Sequence, residues 1–318
     1  MPSQDAEPIH FDIWLVDGFV LTEYAAVADV LRMANRILLK SVFTWRNLSA
    51  EGGLIRSPSG ASVETAAPQP YPEARYFVVL GNAEVACPGL SIERTIDLYL
   101  SRQSKVVLLA EAASNYIANN DKHCMTTHWE NSVVLQENIG LDARNQTLAT
   151  EDGQMITSAG MGSTVDLILT IVARHIPASA VATLADILLH DQIRDLGTLQ
   201  PFGGKSIAVT GDRQLDHCLE LMQANVENPL PISQLVKLVG VSSRSLERRF
   251  RDKLNSKPAQ YYRALRLNRA NNLLLNTTLA INEIALACGF QSGFTPHYRA
   301  HFGVTPQYVR QRKRAREA

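Results

Sequence analysis

Two kinds of apolar pattern follow each other along this chain. In the amino-terminal part, short apolar runs such as 76–80 and 105–109 alternate with longer amphipathic segments such as 21–39. This alternation predicts βαβ crossovers and a mostly parallel sheet that helices cover on both faces. The other predicted strands are 11–16 and 44–49, and the other predicted helices are 92–100, 163–174 and 178–191. The pattern therefore predicts an α/β domain with a binding crevice beyond the carboxyl ends of its strands.

The carboxyl-terminal part contains one helical pattern twice. Each copy is a stripe of apolar residues four apart that ends at a residue tolerant of left-handed backbone, with a proline just beyond. The first copy consists of Leu246, Phe250, Leu254, Asn255 and Pro258, and the second consists of Phe294, Tyr298, Phe302, Gly303 and Pro306. A shorter helix precedes each stripe across a tight turn at Gly240 or Gly289. This layout predicts two helix-turn-helix motifs, joined by a helix over 258–276.

The charge of the chain divides at the same place. Residues 213–318 contain 17 Lys and Arg against 7 Asp and Glu, a net charge of +10. The whole chain has 31 of each sign, so residues 1–212 carry a net charge of −10. A basic domain that contains the repeated motif indicates a nucleic-acid-binding domain attached to a different kind of domain.

The second helix of each motif supplies the residues that we expect to contact DNA. If the apolar stripe of the first motif faces inward, its arginines project outward, and arginine is the side chain best suited to guanine or phosphate. The candidate contacts are Ser243, Arg244, Ser245, Arg248, Arg249 and Arg251 in the first motif, and Gln291, Ser292, Thr295, His297 and Arg299 in the second. A solvated basic helix face is the alternative for either helix taken alone.

The carboxyl-terminal motifs resemble the DNA-binding domain of the AraC family of bacterial transcription regulators. The resemblance rests on residues 240–242, 246–250, 258–267, 284–290 and 302–306. It implies double-stranded DNA and RNA polymerase as partners, and a homodimer. Between Gly289 and Gly303 the chain is about two residues shorter than the family pattern, so we expect a shortened start to the second recognition helix.

The amino-terminal part is similar to the sensor domain of GlxA-type AraC regulators. The residues that carry this resemblance are 17–19, 29–35, 43–49, 126–129, 157–160 and 166–167. It implies the fold of class I glutamine amidotransferases and intracellular proteases, and it implies an effector such as an amino acid, betaine or carnitine. The expected function is a ligand-responsive transcription regulator, an activator of genes for using that compound.

Hydrolases of that superfamily place a cysteine on the sharp turn after the strand that is here 105–109. This chain has Ala110 and Glu111 there, while Cys87 and Cys124 fall elsewhere. We therefore expect no catalytic residues and no enzyme activity. An amidase-like hydrolase with a DNA-binding appendage is the alternative, and a purely architectural DNA-binding protein is a third hypothesis.

The emptied active site can still bind a ligand. Glu111 is positioned to pair with a cationic head group, and Phe19, Tyr24, Tyr116 and Trp129 are aromatic candidates for contact with it. The turn at Gly160 and Met161 opens a helix whose N–H groups could receive an anion. The ligand candidates are Phe19, Asn82, Glu111, Trp129, Gly160 and Met161. Core packing is the alternative for each aromatic residue, and a structural role is the alternative for His128.

The remaining features bound the class of protein. We expect an amino-terminal tail over 1–10, the sensing and dimerisation domain over 11–202, a linker over 203–212 and the DNA-binding domain over 213–318. Four cysteines without metal-ligand spacing predict free thiols, with no metal and no cofactor. The first ten residues lack a signal-peptide core and no apolar run is long enough to cross a membrane, so a cytoplasmic location is expected.

Overall fold

The computed structural model describes residues 7–82, 92–120, 125–129, 131, 146–200, 210–276 and 279–317. The chain divides into two compact units, Met1–Leu199 and Gln200–Ala318. The first unit is α/β, and the second is helical over its described residues. The predicted linker falls mostly outside these ranges. Its residues 210–212 are described, and Thr210 donates two hydrogen bonds to Asp216 Oδ1, at 2.8 and 2.7 Å.

A six-stranded sheet forms the centre of the first unit. The strands of the described residues are β1 (Ile9–Trp14), β2 (Phe43–Leu48), β3 (Gly53–Arg56), β4 (Ser62–Thr65), β5 (Tyr76–Val79), β6 (Lys105–Leu109), β7 (Ala149–Asp152) and β8 (Met155–Ser158). The order in the sheet is β2-β1-β5-β6-β8-β7, and every neighbouring pair is parallel except β7 and β8. Strands β3 and β4 form a separate antiparallel hairpin. The prediction of a mostly parallel sheet is confirmed, although β7 and β8 were not predicted.

Helices cover both faces of the sheet because its strands are apolar on both sides. They are α1 (Leu21–Leu38), α2 (Glu93–Ser101), α3 (Ala110–Asn119), α4 (Ser163–Val172) and α5 (Ala178–Ile187). Helices α1, α4 and α5 pack on one face, and α2 and α3 pack on the other. The prediction that the last helix extends to residue 191 is wrong, because Leu189 adopts left-handed backbone with φ of +52°.

One carboxylate lies inside the sheet, and its charge is paired. Asp12 is fully buried in the middle of β1, where Arg46 donates to both of its oxygens at 2.9 and 3.0 Å. The Tyr99 hydroxyl donates a third hydrogen bond of 2.6 Å from α2. Such a charge is tolerated only when its partners replace water. We therefore assign Asp12 to the architecture of the sheet and not to the ligand site.

The second unit contains the two predicted motifs. Its helices are α6 (Arg213–Ala224), α7 (Ile232–Val239), α8 (Ser243–Leu254), α9 (Pro258–Asn276), α10 (Ile281–Ala287), α11 (Phe294–Phe302) and α12 (Pro306–Glu317). Helices α7 and α8 form the first motif, α10 and α11 form the second, and α9 connects them with the predicted bounds. The predicted stripes face inward, since Leu246, Phe250 and Tyr298 are fully buried.

Candidate nucleic-acid interface and effector site

The first recognition helix, α8, is set by a turn and two caps. Gly240 ends α7 with φ of +71°, and the Ser242 hydroxyl accepts a 3.2 Å hydrogen bond from the amide of Ser245 at the start of α8. Asn255 ends α8 in left-handed backbone. Glycine, serine and asparagine are the residue types that these three positions favour. The local sequence therefore fixes both ends of the helix that is expected to enter the groove.

Three arginines form the exposed face of α8. Arg244, Arg248 and Arg251 are all exposed, and their spacing of four and three residues places them on one side of the helix. Leu246 and Phe250 on the opposite side are fully buried. Ser243 is also exposed, and Ser245 is half-buried. The structure thus brings together the cationic face that the sequence predicts, at a place where a DNA backbone could reach it.

Arg249 differs from these three arginines because it is engaged within the protein. It forms an ion pair with Asp212, and its Nε donates to Ser245 Oγ at 3.4 Å. Asp212 also caps α6, where its side chain accepts from the amides of Gln214 and Leu215 at 3.2 Å each. Arg249 therefore connects α8 to the start of α6, and no local pattern around Arg249 predicts this pairing.

The second recognition helix, α11, is shorter and less basic. It has nine residues against twelve in α8, and it begins at Phe294, which corresponds to the fourth residue of α8. The predicted shortened start is therefore confirmed. Gln291 and Ser292 are exposed but precede the helix, which follows Gly293 with φ of +70°. Within the helix, Thr295 and Arg299 are exposed, while half-buried His297 lies beside Phe290 with 6.4 Å between ring centroids.

The candidate effector site lies where β6 turns sharply into α3. Ala110 stands at this elbow with φ of +41°, unusual for a residue other than glycine. A strained strand-to-helix turn of this kind presents the nucleophile in many hydrolases, but here it presents a methyl group. Two glycines of the surrounding backbone approach Ala110 closely. A Cβ added at Gly160 would lie 2.7 Å from Ala110 Cβ, and a Cβ added at Gly81 would lie 3.3 Å from it. Thr127 Oγ1 donates to the Ala110 carbonyl at 2.7 Å.

Two carboxylates meet at the elbow, and the sequence indicated only one. Glu111 follows Ala110, and a Cβ at Gly81 would overlap its Oε2 atom. Glu23, on α1, is fully buried and accepts from the amides of Gly81 at 3.1 Å and Met161 at 3.0 Å. Burial raises the Glu23 pKa to about 8, the Met161 and Gly81 amides oppose the shift, and the Glu111 charge adds to it. The sequence contains one signal for the burial of Glu23. It is a charged residue on the same face of α1 as the apolar Ala26, Val27 and Val30.

The raised pKa of Glu23 has a measurable consequence for stability. The folded state holds this proton up to a pH of about 8, whereas the unfolded chain releases it near the ordinary value of 4.5. The free energy of unfolding is therefore expected to fall as pH rises between these values, by at most about 1.4 kcal/mol per pH unit. Glu23→Gln should flatten this dependence in denaturant titrations, while Glu64→Gln on exposed β4 should retain it. A Glu23→Gln variant with the wild-type slope would show that Glu23 ionises normally.

The other predicted ligand residues surround the elbow to different degrees. Phe19 is fully buried and forms an isolated β-bridge with Asn82. The centroid of its ring lies 5.9 Å from that of Tyr24. Asn82 is 2 % exposed, and its Oδ1 has no hydrogen-bond partner within the part of the chain that the structure describes. Met161 is 46 % exposed, but its amide already donates to Glu23 and is not open to a ligand anion. Gly160 has φ of +73° and approaches Glu23 directly.

The segment after residue 124 brings a histidine and a tryptophan near the elbow. Thr126 and Thr127 are buried and hydrogen-bond to Thr157 and Ala110 respectively. His128 and Trp129 follow them, half-buried, with 5.3 Å between ring centroids. Burial lowers the His128 pKa, which favours the neutral ring. Tyr116 is half-buried on α3, packed beside the second face of the sheet.

The described cysteines are unreactive. Cys218 and Cys288 are fully buried in the helical unit, and burial raises the pKa of each thiol to about 11. Cys87 and Cys124 lie outside the described residues. Over the described ranges no group of His, Cys, Asp and Glu side chains is arranged to hold a metal ion. A search of the same ranges finds no helix with the length and apolar character needed to cross a membrane.

Comparison with known proteins agrees with this arrangement. Residues 235–312 match a helix-turn-helix domain family, a range that holds the second motif and all of the first except the start of α7. The chain is 29 % identical over 325 residues to the HTH-type transcriptional regulator GbdR of Pseudomonas aeruginosa, covering 98 % of this chain and 86 % of the relative. It is 31 % identical over 313 residues to CdhR of the same species, also an HTH-type transcriptional regulator, covering 94 % of this chain and 91 % of the relative.

Solved structures support the α/β architecture. A crystal structure of an AraC family transcriptional regulator from Pseudomonas putida aligns with a TM-score of 0.50 and 20 % identity, covering 57 % of this chain and all of that one. An α/β unit joined to a basic unit with two helix-turn-helix motifs defines a DNA-binding transcription regulator. Transcriptional regulators match the chain over most of their own length. The chain therefore belongs to the AraC family, in its GlxA-like branch.

Proposed function

We propose that this regulator responds to a small cationic molecule bound at the elbow of its α/β unit and transmits that binding to operator DNA. The observation that carries the proposal is the elbow itself, where Ala110 replaces a nucleophile and Glu111 stands beside it. A carboxylate in a partly buried site favours an ammonium group. Ligand binding shifts an equilibrium between arrangements of the regulator only if its affinity for them differs.

On the DNA side, we propose unequal roles for the two recognition helices. Helix α8 presents Arg244, Arg248 and Arg251 with a complete first turn, the part of such helices that contacts base edges. Helix α11 lacks that turn, and its exposed Arg299 suits phosphate contact. Gln291, Ser292, Thr295 and His297 then support phosphate contacts and base contacts weaker than those of α8. Ser243 and Ser245 border the base-reading turn of α8, and Arg249 positions α8 through Asp212.

We further propose that the unit has no hydrolase activity. The elbow residue Ala110 has no group that can attack a carbonyl, and Cys218 and Cys288 are buried in the helical unit. The acidic Glu111 cannot perform thiolate chemistry under the same activation. The hydrolase alternative predicts turnover that depends on a cysteine. Absence of turnover and of thiol labelling in the native chain would count against that alternative.

The assembly and setting follow from the regulator class. We propose a homodimer formed through the α/β units, so that two DNA-binding units engage one operator, with RNA polymerase as a further partner. Activation of catabolic genes for the sensed compound, such as an amino acid or a quaternary amine, is the expected output. A cytoplasmic location, with no cofactor and no metal, is part of the same proposal.

The effector proposal is tested by a thermal-shift screen of betaines, carnitine, basic amino acids and polyamines. A true effector at about 100 times its dissociation constant should add about 2.7 kcal/mol to the stability of the native chain. Glu111→Gln should abolish the shift, because it removes the paired charge. Glu64→Gln, which removes the same charge from an exposed strand, should retain it. If no cation shifts the melting temperature, a purely architectural DNA-binding role becomes the better account.

A further inference from the structure

The second helix-turn-helix motif contacts the loop that leads into the first one, and the corresponding turn of the first motif has no such contact within the described residues. Gly240 and Gly289 occupy equivalent positions in the two turns and share a φ of +71°. A Cβ at Gly240 would meet nothing within 4 Å, whereas one at Gly289 would lie 2.5 Å from Pro229 Cγ and 2.7 Å from the Val226 carbonyl oxygen. Val226 and Pro229 belong to the loop between α6 and α7. The turn of the second motif therefore packs directly on the loop that leads into the first motif.

Arg266 of the connecting helix joins the same two parts. Its Nη1 donates to the Gly289 carbonyl at 3.0 Å, and its guanidinium carbon lies 4.4 Å from the ring centroid of Phe290. The same guanidinium carbon lies 5.5 Å from the ring centroid of Tyr262. The Tyr262 hydroxyl in turn donates to the Asn225 carbonyl at 2.6 Å. Arg266 and Tyr262 together thus link the turn of the second motif to the loop that leads into the first.

We propose that this inter-motif contact, formed by Val226, Pro229, Tyr262, Arg266, Gly289 and Phe290, fixes the separation and rotation of α8 and α11 and so sets the operator spacing that the regulator accepts. The proposal rests on the proposed DNA contacts of both helices. Arg266 acts as a positioning residue, since its guanidinium donates to the Gly289 carbonyl and lies against the Phe290 ring. A planar guanidinium can stack on a ring while donating to a carbonyl, which an ammonium cannot reproduce.

The physical basis is the helical geometry of DNA. One added base pair moves a half-site by about 3.4 Å along the axis and rotates it by about 34–36°. Two recognition helices held rigidly cannot both follow such a change, so one of them loses its groove. If the inter-motif contact is released, the motifs can adjust around α9, and the penalty for the wrong spacing becomes smaller. The contact therefore limits which operators are accepted without supplying a base contact itself.

The test measures binding of the full chain to operators of altered spacing. An operator is first selected by the wild-type protein from random duplexes, and one base pair is then inserted or deleted between the segments covered by α8 and α11. We expect the wild type to lose at least about tenfold in affinity on each altered operator, the scale of a lost base contact. On the same altered operators, the affinity should fall by no more than about threefold for Arg266→Ala, Arg266→Lys and Gly289→Ala. Two control variants should lose as much affinity on the altered operators as the wild type does. They are Arg263→Ala, on the exposed side of α9, and Gly240→Ala.

Circular dichroism melting identifies which variants are folded at the assay temperature. If Arg266→Ala unfolds the unit, Arg266→Lys decides the question, because it keeps the positive charge and most of the side chain. If folded variants lose as much affinity on the altered operators as the wild type does, the inter-motif contact does not set the operator spacing. A wild-type chain that selects no sequence at all would instead overturn the proposed DNA contacts.

Discussion

Replacing Arg244, Arg248 and Arg251 together with alanine is expected to weaken operator binding by at least about 100-fold, since a single such contact is worth about 1–3 kcal/mol. The three side chains are exposed on one face of α8, opposite Leu246 and Phe250. If all three neutralise phosphates, the slope of log affinity against log salt should also fall by about 2.7. Fluorescence anisotropy over a salt series measures both quantities.

A charge-matched control is available in the α/β unit. Arg32, Arg36 and Lys40 are exposed near the end of α1, and their replacement by alanine removes the same charge. This variant should bind DNA as the wild type does, apart from a small long-range effect that salt screens. Equal losses in the two triple variants would mean that only net charge matters, and the assignment of α8 as the recognition helix would then fail.

Gly160→Ala is expected to destabilise the α/β unit by about 2–5 kcal/mol, because two separate costs add. The backbone at Gly160 has φ of +73°, which a side chain strains. The added methyl would also overlap Glu23 Oε1 and lie 2.7 Å from Ala110 Cβ. Glu23 cannot withdraw freely, since the amides of Gly81 and Met161 hold both of its oxygens. Denaturant unfolding of the full chain, followed by tryptophan fluorescence, provides the measurement.

Gly153→Ala separates the two costs. Gly153 has φ of +59° in the turn between β7 and β8, and a Cβ there would meet nothing within 4 Å. This variant should lose only the backbone contribution of about 1–2 kcal/mol. If Gly160→Ala costs no more than Gly153→Ala, the close packing of Glu23 against the elbow would not be rigid, and its burial would have to be reconsidered.

Local patterns predicted the elements and the inward faces of this protein. Leu246, Phe250 and Leu254 sit four residues apart, and because helix geometry is local, this spacing alone determines which side of α8 is buried. The connecting helix follows equally from its proline start, and the shortened α11 follows from chain length. In each case the information lies within a few residues of the feature that it determines.

Features that depend on distant residues were not accessible in this way. Asp212 pairs with Arg249 across 37 positions, and nothing near Arg249 distinguishes it from Arg248. Gly240 and Gly289 look alike in the sequence, yet a Cβ at Gly289 would meet the loop between α6 and α7, whereas one at Gly240 would meet nothing within 4 Å. Glu23 belongs to the elbow because β5 and the turn before α4 converge on it. The antiparallel β7 was missed because its four residues are too short to show a clear alternation.

We propose that a basic unit with a complete first recognition helix and a shortened second one directs this regulator to specific DNA. The most direct test is selection of binding sites from random duplexes by the full chain, followed by sequencing. We expect one strongly preferred segment under α8, a weakly preferred segment about one helical turn away under α11, and loss of enrichment in the Arg244/Arg248/Arg251 variant. Unenriched pools, or equal sequence preference in both segments, would contradict it.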